Sequence, residues 1–111
     1  MEVLFNKNED HHKLLCSELR TRYARVKKGG GKARLDRQHA EGKWSARERI
    51  DYLLDQPKEA LEIGAFAGDG MYGEHGGCPS GGVIVKVGRI QGRLCVVVAN
   101  DATVKAGAWF P

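Results

Sequence analysis

Two valine-rich runs constrain the fold most, VIVKVGRI (83–90) and RLCVVVAN (93–100). Only Gln91-Gly92 separates them, and this spacing predicts a β-hairpin with a two-residue turn. One face of the pair would carry Val83, Val85, Val87, Leu94, Val96 and Val98. The other would carry Ile84, Ile90, Cys95, Val97 and Ala99, interrupted by Lys86 and Arg93. Because neither face alternates to polar, both need cover, and a hairpin alone is marginal in water. The hairpin is therefore predicted to begin a larger layered domain.

Charge and glycine divide the chain into two parts. Residues 1–58 hold fourteen Lys/Arg against nine Asp/Glu, whereas residues 59–111 hold four against five. Glycine runs the other way, with four in the first part and eleven in the second. The sequence predicts a basic helical arm over 1–58, followed by a glycine-rich β segment over 59–111.

Cysteine usage and hydropathy limit the class of protein. Three cysteines, an odd number without framework spacing, argue against a disulfide-stapled secreted domain. The only apolar residues near the start, Val3-Leu4-Phe5, are too few for a signal peptide. No apolar run approaches the roughly 20 residues that a helix needs to cross a bilayer. We therefore expect a cytoplasmic protein that binds no membrane.

Capping signals and glycines divide the arm into helices. Asn8 is predicted to cap the first helix, with acidic residues after it at the positive end of the helix dipole. Gly29-Gly30-Gly31 is predicted to end that helix. Its apolar stripe, expected to face the body, comprises His12, Leu15, Cys16, Leu19, Tyr23 and Val26. A short polar helix is expected from about Lys32 to Glu41.

A capping box opens a third predicted helix. In Ser45-Ala46-Arg47-Glu48 the serine and glutamate side chains can satisfy each other's backbone N–H groups. The inward side of this helix is predicted to carry Ala46, Ile50, Leu53 and Leu54. Leu61-Glu62-Ile63 is a candidate short strand, and a loop is expected from Gly64 to Gly82.

Four ordered segments carry a resemblance to a known family. They are GGGKARLDRQHAEGK (29–43), SARERIDYLLD (45–55), LEIGAFAGDGMYGEHGGCPSGG (61–82) and GRLCVVVANDATVKAGAWFP (92–111). Together they resemble the start of the carboxyltransferase (β) subunit of biotin-dependent acyl-CoA carboxylases. The segment ANDATVKAGAWFP is most similar to the methylcrotonyl-CoA carboxylase branch.

The resemblance implies an incomplete α/β fold of the crotonase-like (ClpP-like) type. Residues 1–58 would be the N-terminal arm, and 59–111 the start of the first carboxyltransferase domain with its first hairpin. It also implies transfer of a carboxyl group from carboxybiotin to an acyl-CoA, with methylcrotonyl-CoA favoured and propionyl-CoA or acetyl-CoA as alternatives. Both oxyanion loops of the family would lie beyond Pro111, so no catalytic residue is expected here. By itself the chain is expected to be inactive, self-associating and molten.

The resemblance also implies partners and cofactors. The expected partners are a biotin carboxylase and biotin carrier α subunit, further copies of the β subunit and the acyl-CoA substrate. Biotin would sit on the carrier domain of the partner, and ATP would be used by the partner subunit. No cofactor is expected on this chain itself.

The segment after the second long strand is the best candidate site. Its candidate CoA contacts are Thr103, Lys105, Ala106 and Gly107, because small residues let the backbone approach a ligand and lysine can meet a phosphate as a point charge. In the resembled fold the corresponding loop borders the CoA groove. The alternative interpretation is that Asp101 and Thr103 cap a following helix while Lys105 is solvated.

The basic arm supplies weaker candidates. Lys32, Arg34 and Arg37 could contact the nucleotide phosphates of CoA, although charge runs more often form a solvated face with ion pairs. Arg47 and Arg49 are expected to tie the third helix to the body.

Other apparent motifs fail chemical tests. Gly29-Gly30-Gly31-Lys32 is not a phosphate loop, because Ala33 stands where Ser/Thr should hold magnesium and no strand precedes it. His75 and Cys78 form one possible metal-ligand pair without a second, so no metal is expected. Cys78 is interpreted as a loop thiol without a role. Cys16 and Cys95 are interpreted as small core residues.

Two further functions stay open. A small nucleic-acid-binding protein is conceivable because eleven of residues 20–49 are Lys or Arg. Tyr23 and Trp44 are the only aromatic residues there, whereas single-strand binders interleave stacking side chains, so no nucleic-acid partner is expected. A steep salt dependence of oligonucleotide binding would favour it. The third possibility is a subunit-interface module without activity.

Overall fold

A three-stranded antiparallel sheet forms the core of the computed structural model, which describes residues 2–111. Three helices precede the sheet, named α1 (Glu2–Val26), α2 (Lys32–Ala40) and α3 (Ala46–Leu53). The strands are β1 (Leu61–Ile63), β2 (Val83–Ile90) and β3 (Arg93–Asn100), in the spatial order β1-β2-β3. The predicted hairpin bounds are confirmed, and the candidate strand at 61–63 extends the hairpin to three strands.

The hairpin has the register that the two-residue turn predicts. Val85 pairs with Val98 and Ile90 pairs with Arg93. Gln91 and Gly92 both have positive φ, 48° and 81°, as a type I′ turn requires to match the strand twist. Asp55 fastens this turn, because its carboxylate accepts hydrogen bonds from the N–H groups of Gln91 and Gly92 at 2.8 Å each.

One face of the sheet packs against α3. The capping box is formed, with Ser45 accepting from the N–H of Glu48 at 3.2 Å and Glu48 accepting from the N–H of Ser45 at 3.0 Å. The buried cluster between helix and sheet comprises Ala46, Ile50, Leu54 and Ile84. Lys86, the polar interruption on this face, pairs with Asp51 of α3 at 3.0 Å. Leu53 is half exposed, which corrects its predicted inward place, since the chain leaves the helix directly after it.

The opposite face of the sheet is open. Leu94 is 66% exposed, Val96 65% and Val98 58%. The prediction that both faces need cover is therefore met on one side by α3, while the face that carries these three side chains has no layer over it among residues 2–111. We call Leu61, Ile63, Leu94, Val96 and Val98 the open sheet face.

α1 differs from its prediction in where it begins and in how much of its apolar stripe is covered. The chain is already helical at Glu2, and the helix runs through Asn8, so Asn8 does not cap it. The predicted stripe meets the body only in the last turns, where Tyr23 is half-buried and Val26 buried. The upper part of the stripe is exposed, Cys16 included, because the body does not reach that far along the helix. The predicted core role of Cys16 is therefore wrong.

A buried polar network joins α1 to the sheet. Arg47 of α3 forms an ion pair with Glu62 of β1 at 2.7 Å, and the Tyr23 hydroxyl donates to the same carboxylate. Burial raises the pKa of Glu62, but hydrogen bonds from Arg47 and Tyr23 outweigh it and leave that pKa below its ordinary value. Burial and the bond to Glu62 raise the pKa of Tyr23. Arg47 thus ties its helix to the body, as predicted. Arg49 instead donates to the nearby Trp44 carbonyl at 3.2 Å, so the same prediction is wrong for Arg49.

Candidate functional site

The loop after β3 is organised by a buried aspartate. Asp101 and Thr103 are both buried, and Asp101 Oδ1 accepts from the Thr103 N–H at 2.9 Å and the Thr103 hydroxyl at 2.6 Å. The Asp101 N–H in turn donates to the carbonyl of Gly82 at 2.9 Å. These bonds fold the loop on itself, so the alternative interpretation in which Asp101 and Thr103 cap a following helix is wrong.

The glycine run at 29–31 packs against this loop. The Gly30 N–H donates to Thr103 Oγ1 at 2.9 Å, so the threonine hydroxyl accepts from Gly30 while it donates to Asp101. A Cβ on Gly29 would overlap the Asp101 carboxylate, and one on Gly30 would overlap the Thr103 carbonyl. Glycines are present here because two backbone segments approach each other closely.

α2 lies beside the loop and forms a cleft with it. The Arg34 guanidinium donates from Nη1 to the Thr103 carbonyl at 3.0 Å. The cleft has a volume of about 330 Å³ and is lined by Arg34, Arg37, Gln38, Glu41, Lys43, Ala102, Thr103 and Ala106. Three of these side chains are cationic and one is a carboxylate. A hydrogen bond from Lys43 holds the pKa of Glu41 below its ordinary value, so Glu41 is ionised and offsets part of the positive charge.

A left-handed turn follows the loop. Lys105, Ala106 and Gly107 have φ values of 46°, 53° and 85°, and the first two are strained because they carry a Cβ. Asn100 Nδ2 donates to the Gly107 carbonyl at 2.8 Å and holds the turn against the end of β3. The turn presents Ala106 to the cleft.

Lys105 points to a different place from Ala106. Its Nζ donates to the Trp109 carbonyl at 3.1 Å and lies 4.5 Å from the centre of the Phe110 ring. There it lines a second cavity, of about 480 Å³, with Tyr72, His75, Phe110 and Pro111. Phe110 and Tyr72 stack on each other at 4.3 Å between ring centres.

The structure thus brings together only part of the predicted site. Thr103 and Ala106 meet Arg34 and Arg37 in one cleft, although the two groups are far apart in sequence. Lys105 turns away, and Lys32 pairs with Asp36 at 3.1 Å on the exposed side of α2.

Four cleft residues were not singled out from the sequence, namely Gln38, Glu41, Lys43 and Ala102. A signal for two of them existed. Gln38 lies four residues after Arg34 and Glu41 four residues after Arg37, a spacing that places each pair on one side of a helix or its end. Lys43 and Ala102 lie outside regular elements, so no periodicity indicated them.

The cysteine and histidine candidates show no reactive arrangement. Cys78 is buried, and burial raises the pKa of its thiol, partly offset by Lys105. A raised pKa favours the unreactive thiol over the thiolate. Over residues 2–111, no three His, Cys, Asp or Glu side chains lie close enough to hold a metal ion. No helix in the same range has the length and apolar character needed to cross a membrane.

The chain matches one family model and is similar to several known proteins. Residues 37–111 match the family model described as the carboxyl transferase domain. The beta1 subunit of biotin-dependent 3-methylcrotonyl-coenzyme A carboxylase from Mycobacterium tuberculosis is 43% identical over 102 residues. A probable mitochondrial methylcrotonoyl-CoA carboxylase beta chain from Drosophila melanogaster is 47% identical over 97 residues. These matches cover 92% and 87% of this chain but only 19% and 17% of those proteins.

The fold is similar to that of a solved carboxyl-transferring enzyme. Transcarboxylase 12S, described as a hexamer with methylmalonyl-coenzyme A and methylmalonic acid bound, aligns with a TM-score of 0.75 at 33% identity. The alignment covers 86% of this chain and 19% of that one. It confirms the predicted fold class, an incomplete α/β carboxyltransferase domain. The chain therefore belongs to the carboxyl transferase domain family.

Proposed function

We propose that this chain is the N-terminal part of an acyl-CoA carboxylase carboxyltransferase subunit, which transfers a carboxyl group from carboxybiotin to an acyl-CoA. The favoured substrate is 3-methylcrotonyl-CoA, as in leucine degradation, because the two curated relatives described above are methylcrotonyl-CoA carboxylase subunits. Propionyl-CoA and acetyl-CoA are the alternatives. The chain spans less than a fifth of those relatives, so this activity is that of the longer protein and the chain alone is expected to be inactive.

Within that activity, we assign the cleft between α2 and the loop at 101–107 to the phosphates of CoA. The observation that carries this assignment is the meeting of Arg34 and Arg37 with Thr103 and Ala106 in one open cleft. Guanidinium groups match phosphate geometry with paired N–H donors. The backbone of Ala106 and Gly107 offers little obstruction to a ligand. Lys105 and Lys32 are secondary candidates, since neither of them lines the cleft.

Biotin is not assigned to the same cleft, because the paired N–H donors of Arg34 and Arg37 in its lining match phosphate groups. When bound to the longer protein, carboxybiotin supplies the carboxyl group. No residue between 2 and 111 is assigned to it.

The partners proposed for the longer protein follow from the same family. They are a subunit that carries biotin and contains the ATP-using biotin carboxylase, and further copies of the carboxyltransferase subunit. Residues 1–58 serve as an arm, and residues 59–111 begin the carboxyltransferase domain. The proposed compartment is the cytoplasm, although the Drosophila relative is described as mitochondrial.

Calorimetric titration of the chain with CoA tests the assignment. Arg34→Ala and Arg37→Ala are each expected to weaken CoA binding by about tenfold or more, as expected for loss of a charged hydrogen bond. Arg22→Ala is the matched control, since Arg22 lies on α1 in an exposed pair with Glu18. Its affinity for CoA should stay unchanged. Equal affinities for all four proteins, or no binding of CoA at all, would contradict the assignment.

A further inference from the structure

The Gly29-Gly30-Gly31 run is not a phosphate loop, but it contacts the loop at 101–107 and so helps to form the cleft. We propose that Gly30 is a positioning residue, which lets α2 seat on the loop at 101–107 and so places Arg34 for the phosphate of CoA. This inference rests on the proposed assignment of the cleft to CoA. It adds that the affinity of the cleft depends on a residue that touches no ligand.

The contact between Gly30 and Thr103 joins the two sides of the cleft, which are α2 and the loop at 101–107. The Gly30 N–H donates to Thr103 Oγ1 at 2.9 Å. A Cβ on Gly30 would overlap the Thr103 carbonyl oxygen and lie 2.7 Å from its carbonyl carbon. Since these are backbone atoms, no rotation of a side chain can relieve the overlap.

The same carbonyl orients Arg34. Arg34 Nη1 donates to Thr103 O at 3.0 Å, and the Cβ of an alanine at position 30 would also lie 3.0 Å from Arg34 Cδ. Alanine at position 30 therefore displaces both the anchor of the guanidinium and the stem that carries it. The helix and the loop must separate, and Arg34 then faces the cleft from a different position.

The requirement at Gly30 is one of space and not of backbone conformation. Gly31 has φ +106°, in the region that favours glycine, with nothing within 4 Å of an added Cβ. Gly30 does not have a φ in that region. A substitution at position 30 therefore reports on the close approach alone.

Gly73 provides the matched control. It too lies outside the left-handed region, and an added Cβ there meets nothing within 4 Å. Gly73→Ala thus makes the same chemical change without a collision, and it lies in neither half of the cleft.

The experiment measures the affinity of the whole chain for CoA and for pantetheine, which lacks the phosphates and the nucleoside of CoA. Gly30→Ala is expected to bind CoA about tenfold more weakly, the loss expected when one charged hydrogen bond is misplaced. It should also lose most of the preference for CoA over pantetheine, whereas Gly73→Ala should keep both. A misfolded chain would lose that preference too, so far-ultraviolet circular dichroism is measured for each variant to separate misfolding from displacement.

A double-mutant cycle with Arg34→Ala shows whether Gly30 acts through Arg34. If it does, the double variant binds CoA no more weakly than Arg34→Ala alone, because both substitutions remove the same contact between Arg34 and CoA. Additive losses, or a Gly30→Ala chain that binds CoA as the wild type does, would overturn the inference while leaving the cleft assignment intact. Absence of CoA binding by the wild type would instead overturn the assignment on which the inference rests.

Discussion

Asp55 shows how one side chain can set the register of a hairpin. It lies just after α3, and its two carboxylate oxygens accept the N–H groups of Gln91 and Gly92. Its own N–H donates to the Arg89 carbonyl at 2.9 Å. The end of the helix is thus tied to the tip of the β2–β3 hairpin. In this strand pair a one-residue slip of register would move every side chain of a strand to the opposite face of the sheet.

This contact predicts a pH dependence of stability. The N–H groups of Gly92 and then Gln91 hold the pKa of Asp55 below its ordinary value. A carboxylate with a lowered folded-state pKa stabilises the fold above its unfolded pKa of about 3.9, and this contribution is lost as the pH falls through the folded value. In urea unfolding at pH 6, the wild type should therefore have a higher free energy of unfolding than Asp55→Asn. This difference should shrink as the pH falls below about 4.

A matched control separates Asp55 from acid effects in general. Asp36→Asn changes an exposed carboxylate that pairs with Lys32 on the surface of α2, and surface pairs contribute little. Its unfolding curve should follow that of the wild type at pH 6 and throughout the acid range. A difference between wild type and Asp55→Asn that stays constant through the acid range would count against the hydrogen-bonded carboxylate as the cause.

Single residues of the site were predictable only where their chemistry is local. Arg34, Arg37 and Thr103 were named from residue type and resemblance, and they do share a cleft. The contact of Gly30 with Thr103 joins positions 73 apart, and no local pattern reports such a separation. The direction of Lys105 was equally hidden, since it depends on a left-handed backbone and on the ring of Phe110.

Among the elements, those with strong local signals were predicted to within a residue or two. The capping box at Ser45 begins α3, glycines bound α2, and the Gln91-Gly92 spacing defines the hairpin. α1 was predicted less well because its stripe pattern specifies which side is apolar, not how much of that side another layer covers. Asn8 can cap a helix only if the residues before it leave the helix, and they do not.

The open sheet face carries a prediction at the scale of the sheet. Exposed contiguous apolar patches of this kind mark interaction surfaces or association hazards, so the chain is expected to self-associate. Val96→Lys should lower the average mass measured by sedimentation equilibrium, because it places a charge in the middle of the patch. Leu14→Lys is the control, at a residue 70% exposed on α1, and should leave the mass as it is.

A wild-type chain that sediments as a monomer would show that the open sheet face does not drive association. Equal effects of the two lysine substitutions would point to charge in general instead of this face.

At the scale of the whole molecule, the chain is an arm, one covered side of a sheet and a cleft. Helix α3 shelters one side of the sheet, whereas Leu94, Val96 and Val98 on the other remain exposed. The relatives are about five to six times longer than the segment they share with this chain. Fold class and family followed from the sequence, because four ordered motifs span most of it. The cleft could not be predicted from the sequence, because it forms between α2 and a loop more than sixty residues later.

The central prediction for this chain is that CoA occupies the cleft between α2 and the loop at 101–107. Titration of the isotope-labelled chain with CoA, followed through its backbone amide resonances, tests this directly. Resonances of residues 34–38 and of Thr103, Ala106 and Gly107 should shift and saturate together, while those of residues 2–20 in α1 stay in place. Saturating shifts confined to α1 or to the open sheet face, or no shifts at all, would contradict the account.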